Sequence, residues 1–217
     1  MLESLKKDFE LFAKSMGISN ELLSAYIEPT VIEERHLNAT SISVFSRLMM
    51  DRIIFLGTEI NSDVANIISA QLLWLDSVDP GKDITIHCST PGGSVYSGYQ
   101  ILDTMSLIKS DVSTVCMGMV ASMGAVIASS GNKGKRFILP RSRFMIHQPL
   151  GGAQGQASDI LINAKEIEKV RTELYTILSE NSTLSYEEIE KMADRDCYLD
   201  AKEALKYGFV DEIITKK

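Results

Sequence analysis

The sequence predicts an α/β fold in which strands and helices alternate and most strands run parallel. Short apolar runs of strand length and longer stretches with apolar residues every three to four positions follow one another along the chain. Such alternation places consecutive strands side by side through right-handed crossovers. With 217 residues and 45% hydrophobic composition, the chain is long enough to bury one sizeable core as a single domain.

Eight regular elements are predicted between residues 52 and 180. Strands are expected where short apolar runs are bounded by polar or turn residues, at 52–57, 84–88, 112–117 and 143–147. Helices are expected at 62–76, with Asn61 or Ser62 as N-cap, and at 95–109, 122–130 and 158–180. The last helix carries more apolar positions than one narrow stripe requires, so we expect it to pack on more than one side.

Composition and charge argue against several classes of protein. A net charge of −7 and a pI near 5.1 offer no basic surface for nucleic acid or for anionic lipid. The three cysteines, Cys88, Cys116 and Cys197, form no C-x-x-C pair, so neither a disulfide framework nor a zinc site is predicted. No metal or small-molecule cofactor is indicated.

The chain is expected to be cytoplasmic and to have no membrane span. Its N-terminus has acidic groups and no continuous apolar core, unlike a secretory signal. Residues 112–132 carry no charge and are long enough to cross a bilayer. Their serine, threonine and glycine content fits a strand followed by a buried helix better than a membrane span.

Ser122 and His147 are the candidate nucleophile and base. A serine hydroxyl needs an imidazole to take its proton. Of the three histidines, His36 lies among polar residues and His87 lies in a strand-like run, so His147 has the best local setting. The pair indicates a serine hydrolase. Taken alone, a serine beside a glycine is also typical of tight packing at a helix start.

A glycine turn precedes this pair. Pro91-Gly92-Gly93 lies between the predicted strand at 84–88 and the predicted helix at 95–109. Glycines at such a junction expose backbone N–H groups suited to an oxyanion or a phosphate, although Pro-Gly-Gly is also a common ordinary turn. The chain has neither a P-loop nor a G-x-G-x-x-G pattern, so a nucleotide site is not predicted.

Five motifs stand in order along the chain: Pro91-Gly92-Gly93, GMVASMGA at 118–125, MIHQPLGG at 145–152, QGQASDI at 154–160 and Arg195-Asp196. Together they resemble the ClpP family, the proteolytic subunits of ATP-dependent Clp proteases. The resemblance runs from about Pro29 to Ile214. It implies the crotonase-like ClpP fold of repeated strand-helix units, with a protruding strand-helix handle at about 148–181.

The resemblance implies a serine endopeptidase that cleaves unfolded proteins into short peptides. It makes Ser122 the nucleophile, His147 the general base and Asp196 the carboxylate that orients His147. It makes the backbone N–H groups of Gly93 and Met123 the oxyanion donors. Asp196 is assigned by resemblance alone, because the chain has 29 acidic residues and local pattern does not single it out.

The resemblance also implies an assembly and partners. Two seven-subunit rings would stack face to face through the handle into a homo-oligomeric barrel, with Asp194 and Arg195 in ion pairs between the rings. An AAA+ unfoldase of the ClpX, ClpA or ClpC type would deliver unfolded proteins. That unfoldase would consume the ATP, since this chain has no P-loop. Rings that include a second ClpP-like subunit are the alternative arrangement.

Residues 1–28 are set apart from the ClpP-like protease domain at 29–217. Apolar residues recur every three to four positions over 2–16, which predicts an amphipathic helix, and a second short helix is expected at 21–26. The extension is either a propeptide removed by self-processing or a retained segment that caps the pore or docks a partner. Residues 29–40 would correspond to the axial gating loop.

Four positions differ from the usual family pattern. Thr85 and His87 stand where the family commonly presents aromatic residues near its unfoldase-docking pocket, and Ser89-Thr90 replaces Asn-Ser before the glycine turn. We expect His87 to be a packed strand residue rather than a proton switch. These differences motivate an alternative function, a catalytically weak ring subunit that assembles with another ClpP-like chain. A crotonase-type hydratase is a further alternative, although it would not need the Ser-His-Asp set.

Overall fold

The computed structural model describes residues 11, 15, 30–35 and 38–215. Residues 11 and 15 are helical, and the rest of the predicted helices at 2–16 and 21–26 lies outside the described residues. The proposed domain boundary between 28 and 29 lies outside them as well. Residues expected as the axial loop form most of an antiparallel hairpin of β1, Thr30–Arg35, and β2, Asn38–Ser43.

The main sheet has seven strands: β3 Ile53–Leu56, β4 Ile84–Thr90, β5 Val112–Ala121, β6 Arg136–Ile138, β7 Arg143–Ile146, β8 Cys197–Leu199 and β9 Glu212–Ile213. The strand order is β3-β4-β5-β6-β9, and each of these neighbouring pairs is parallel. The long strand β5 pairs with β6 along its first half and with β7 along its second half. Strand β8 lies antiparallel to β7.

Seven helices lie within residues 38–215, the long described part of the chain: α1 Val44–Met50, α2 Ser62–Val78, α3 Val95–Leu107, α4 Met123–Ser129, α5 Ala157–Glu180, α6 Tyr186–Met192 and α7 Ala201–Lys206. Side chains cap the first turns of all of these except α4 and α5. Asn61 accepts from the Val64 N–H at the start of α2, and Ser94 accepts from the Ser97 N–H at the start of α3. Helices α6 and α7 each begin with a capping box.

The α/β fold with parallel strands is confirmed, and all four predicted strands and four predicted helices are present. Strand β5 continues to Ala121, four residues beyond the predicted end at 117, and therefore leads directly into Ser122. Strands β6, β8 and β9 and helices α1, α6 and α7 were not predicted. The three strands are two or three residues long, too short to show a hydrophobic period.

The expected handle strand is not formed in the single chain. Residues 147–156 contain no strand, and α5 begins directly after them. A strand requires a neighbour for its backbone hydrogen bonds, and none of the described strands pairs with this segment. The helical part of the handle is present, with its first half exposed and its second half buried through Val170, Leu174, Tyr175 and Leu178.

The core lies between the sheet and its helices. Its centre is formed by Ile86, Val120 and Phe144 from three neighbouring strands, each with no exposed side-chain surface. Every residue of α4 is buried, which confirms the predicted strand and buried helix over 112–132. Within the described residues, no helix is both long and apolar enough to cross a membrane.

Candidate active site

Ser122 occupies a sharp turn between the end of β5 and the start of α4. Its backbone has φ 55° and ψ −126°, a conformation that non-glycine residues rarely adopt. Such a conformation costs on the order of 1–3 kcal/mol and persists only where surrounding contacts impose it. Here the Ser122 N–H donates to the Met145 carbonyl at 2.9 Å, and the Ser122 carbonyl accepts from the Ala125 N–H at 2.9 Å. The turn therefore presents the Ser122 hydroxyl at the carboxyl end of the sheet.

His147 and Asp196 extend this serine into a hydrogen-bonded chain. His147 Nε2 lies 2.9 Å from Ser122 Oγ, and His147 Nδ1 lies 3.0 Å from Asp196 Oδ1. When Nδ1 carries its proton and donates it to the carboxylate, Nε2 is free to accept the serine proton. The three residues predicted from the sequence and the resemblance are thus brought together in the order that nucleophilic catalysis requires.

The pairing of β7 with β8 places the histidine beside the aspartate. Ile146 and Cys197 are partners in this antiparallel pair, so His147 follows one strand end and Asp196 precedes the facing strand start. Gln148 holds the two segments together, because its N–H donates to the Ala193 carbonyl at 2.6 Å and its Nε2 donates to the Asp194 carbonyl at 2.8 Å. The sequence reading did not identify this role of Gln148.

The glycine turn packs directly against the serine turn. A Cβ on Gly92 would lie 2.6 Å from Ser122 Cβ, and a Cβ on Gly93 would collide with the Ile60 carbonyl. Gly92 and Gly93 also have φ values of 94° and 147°, in the region that favours glycine. Glycine is therefore required at both positions for the turn to lie this close to Ser122.

Two backbone N–H groups are available near the serine hydroxyl. Ile60 donates to the Gly92 carbonyl and accepts from the Ser94 N–H, both at 2.8 Å, which leaves the Gly93 N–H on the side away from Ile60. Met123 is the first residue of α4, so its N–H has no acceptor within the helix. Both residues line a cavity of about 350 Å³ together with Ser122 and His147.

Thr90 anchors the glycine turn, a role that the sequence reading did not assign. Its Oγ1 donates to the Thr58 carbonyl at 2.6 Å and accepts from the Gly92 N–H at 3.1 Å. A Cβ on Gly124 would lie against the Thr90 methyl group, so this side chain also packs on α4. The Thr90 that replaces the family's usual serine therefore supports the turn beside the nucleophile.

His87 lies outside the hydrogen-bonded chain of Ser122. Its ring packs at 5.2 Å from the Phe55 ring, and its Nδ1 lies 3.4 Å from Met117 Sδ. Burial lowers the pKa of His87, which favours the neutral ring near pH 7. These contacts agree with the expectation of a packed strand residue. His36 falls outside the described residues.

Comparison with known proteins agrees with this fold. The family profile described as Clp protease matches residues 36–217. The chain is similar to an "ATP-dependent Clp protease proteolytic subunit" of Porphyromonas gingivalis, 58% identical over 206 residues, covering 95% of this chain and 93% of that protein. It is also similar to proteins of the same name from two Bacteroides species.

The relative from Bacteroides fragilis strain YCH46 is 54% identical over 218 residues, and the relative from Bacteroides thetaiotaomicron is 53% identical over 218 residues. Each alignment covers 97% of this chain and 99% of the relative, so it includes most of residues 1–28. The family profile matches more than half of the chain, and the relatives are more than 50% identical to it over nearly its full length. The chain belongs to the Clp protease family.

Proposed function

We propose that this Clp protease subunit is a serine endopeptidase in which Ser122, His147 and Asp196 form the catalytic triad. The observation that carries the proposal is the continuous hydrogen-bonded chain from Ser122 Oγ through both ring nitrogens of His147 to Asp196 Oδ1, at 2.9 and 3.0 Å. This chain supplies the proton acceptor that a serine nucleophile needs, together with the carboxylate that orients the acceptor.

In the proposed reaction, Ser122 Oγ attacks the carbonyl carbon of a peptide bond while His147 Nε2 takes the hydroxyl proton. Asp196 stabilises the resulting imidazolium through the hydrogen bond to Nδ1. His147 then gives this proton to the leaving amine, which departs and leaves an acyl group on Ser122. A water molecule then gives a proton to His147 Nε2 and attacks the acyl carbonyl. The bond between the acyl carbon and Ser122 Oγ breaks as His147 returns the proton to Oγ, which releases the second peptide product and restores the hydroxyl.

The Gly93 and Met123 N–H groups are the proposed donors to the oxyanion. The attacked carbonyl oxygen gains negative charge in the tetrahedral intermediate, and pre-aligned N–H groups stabilise that charge more than they stabilise the neutral carbonyl. The start of α4 adds a small favourable electrostatic term for negative charge. One such donor is typically worth about 2.7–4 kcal/mol of activation free energy.

The proposed assembly is a barrel of two stacked seven-subunit rings. Its support is a group of exposed apolar residues on the handle, Leu150, Ile160, Leu161 and Ile162, which are 42–86% exposed in the single chain. Monomeric proteins rarely expose large apolar patches, so we propose that the assembly covers these residues. The segment at 147–156 forms no strand in the single chain, and the facing ring would supply a strand partner for it. Asp194 and Arg195 are well exposed and available for ion pairs between rings.

The proposed partner is an AAA+ unfoldase of the ClpX, ClpA or ClpC type that delivers unfolded proteins and hydrolyses the ATP. The relatives are named ATP-dependent, whereas this chain carries no P-loop and is proposed to work without a cofactor of its own. We place the reaction in the cytoplasm. Docking involves the surface near Thr85 and His87, where this chain departs from the family's usual aromatic residues.

The test is hydrolysis of a short fluorogenic peptide, which enters the barrel without an unfoldase. We expect Ser122→Ala to lower kcat by at least about 10⁴-fold, because the nucleophile is lost. Ser106→Ala, the same change at an exposed position on α3, should leave kcat unchanged. An assembled wild-type barrel that fails to cleave peptides would contradict the proposal and favour the weakly active ring subunit.

A further inference from the structure

The cavity beside Ser122 contains one carboxylate in an otherwise largely apolar lining. Besides Ser122 and His147, its walls come from the glycine turn and from apolar side chains such as Val126, Ile146, Leu150 and Leu174. Among the described residues that line it, the single acidic one is Glu59. An acidic side chain on a solvated surface needs no special explanation. An acidic side chain in the wall of a substrate cavity lies next to any substrate that binds there.

Glu59 is held at a defined place beside the glycine turn. The residue before it, Thr58, accepts a hydrogen bond at 2.6 Å from Thr90, and the residue after it, Ile60, is bonded on both sides of Gly93. The backbone of Glu59 is therefore fixed relative to the proposed oxyanion donor, although its side chain is exposed.

The carboxylate of Glu59 has no partner within the described part of the chain. None of the ion pairs or side-chain hydrogen bonds among those residues includes it. Other acids near the sheet are paired, as Asp211 is with Arg136 at 2.6 Å and Asp83 is with Lys135 at 2.7 Å. The negative charge of Glu59 is thus left for whatever occupies the cavity.

We propose that Glu59 gives this peptidase a preference for a basic residue within two positions of the scissile bond. The inference rests on the proposed function, because it assumes that Ser122 cleaves a peptide bound in this cavity. A Lys or Arg side chain of the substrate would pair with the carboxylate, whereas an acidic side chain would be repelled by it. Partly exposed ion pairs are modest, so we expect about a two- to fivefold effect on kcat/KM.

The test uses fluorescence-quenched peptides that share one leucine at the cleaved bond. Lys, Gln or Glu is placed in turn at each of the other positions within two residues of that bond. The expected result is that the wild-type barrel cleaves the Lys peptide about two- to fivefold more efficiently than the Gln peptide at one position, with the Glu peptide slowest. Raising the salt concentration should weaken this preference, because an exposed ion pair is screened.

Variants assign the preference to one side chain. Glu59→Gln should abolish it, and Glu59→Lys should reverse it. Glu212→Gln makes the same change on β9, at the opposite edge of the sheet, and should leave the preference intact.

Two results with Glu59→Gln would overturn the inference. One is a preference that persists unchanged in Glu59→Gln. The other is an equal loss of kcat/KM for all peptides in that variant, which would place Glu59 in the support of the catalytic residues and not in selectivity. Cleavage of the Gln peptide without any preference for Lys would refute this inference and leave the proposed function standing. Failure of the wild type to cleave any peptide would refute the proposed function itself.

Discussion

The two ends of the parallel sheet differ in how completely their polar groups are satisfied. At the amino end, where β3, β4, β5 and β6 begin, buried charges and hydroxyl groups are bonded to one another and to backbone carbonyls. At the carboxyl end, where β4 and β5 end, the chain holds a strained serine, free N–H groups and an unpaired carboxylate. The amino end contributes stability, whereas the carboxyl end keeps groups suited to the proposed reaction at a cost in stability.

At the amino end of the sheet, the Arg52 side chain bonds to several neighbouring segments. It precedes β3 and is only 6% exposed, and no carboxylate pairs with it among the described residues. Its guanidinium donates to the carbonyls of Leu75, Lys82 and Asp83 at 2.7–2.9 Å and to Ser110 Oγ at 3.2 Å. This one side chain therefore joins the end of α2 to the starts of β4 and β5.

The carboxyl end leaves comparable groups without protein partners. The N–H groups of Gly93 and Met123 are the proposed oxyanion donors, and Ser122 is kept at φ 55° by its neighbours. Asp196 remains 57% exposed on its side chain in the single chain, although it accepts from His147. These features contribute little to the stability of the free subunit, which is typical of groups arranged for a reaction.

For the comparison of the two ends, the largest expected effect comes from removing the negative charge of Asp196 at the carboxyl end. Asp196→Asn should lower kcat for a fluorogenic peptide by about 10³–10⁴-fold, because an amide neither stabilises the imidazolium nor enforces the tautomer that leaves Nε2 free. Stability should change little, since the carboxylate is more than half exposed. The measurement is steady-state peptide hydrolysis alongside urea denaturation of the same preparations.

Asp200→Asn is the matched control, four residues further along the chain. Asp200 caps α7, and asparagine caps helices about as well as aspartate, so both activity and stability should stay near the wild type. A kcat for Asp196→Asn within tenfold of the wild type would show that another group orients His147.

The sequence was informative wherever local pattern decides structure. The long periodic helices and apolar strands were predictable, and so was the pairing of Ser122 with His147, because few histidines compete for that role. Asp196 was not predictable from the residues themselves. It reaches His147 only through the antiparallel pairing of β7 with β8, a tertiary contact between strands of three and four residues.

The hydrogen bonds of Thr90 and Arg52 could not be predicted from the sequence for a related reason. Thr90 bonds to Thr58 across 32 positions of sequence, and Arg52 bonds to Ser110 across 58. Neither residue belongs to a motif with a local physical signature, so only the folded chain shows their partners. The handle strand is a different case, because its prediction presumed a neighbour that a single chain does not contain.

The second-largest expected effect is a loss of stability when Arg52 is removed from the amino end of the sheet. Arg52→Ala should destabilise the protein by about 3–4 kcal/mol, since it leaves several buried carbonyls and the Ser110 hydroxyl without their donor. The variant should keep kcat in whatever fraction remains folded, because Arg52 lies at the end of β3 away from Ser122. The measurement is the urea midpoint at a fixed subunit concentration, since assembly makes stability depend on concentration.

Lys82→Ala is the control for this prediction. Its ammonium is 65% exposed and lies 3.7 Å from Asp79, so its removal should change stability by less than about 0.5 kcal/mol. The Lys82 carbonyl that accepts from Arg52 remains in that variant. Equal stability of Arg52→Ala and Lys82→Ala would show that water replaces the guanidinium at no cost, and the contrast between the two ends would then disappear.

The smallest effect measures the strain stored at the nucleophile. Ser122→Gly and Ser122→Ala both remove the hydroxyl, but only glycine adopts φ 55° without steric cost. We expect Ser122→Gly to be more stable than Ser122→Ala by about 1 kcal/mol, which corresponds to about 2–4 °C in Tm for a chain of this size. At Ser106, in the last turn of α3, the order should reverse, because glycine is less favourable than alanine in a helix by up to about 1 kcal/mol. If alanine were the more stable replacement at both serines, the turn at Ser122 would carry no strain. The lower stability of this end of the sheet would then be due to the unpaired polar groups alone.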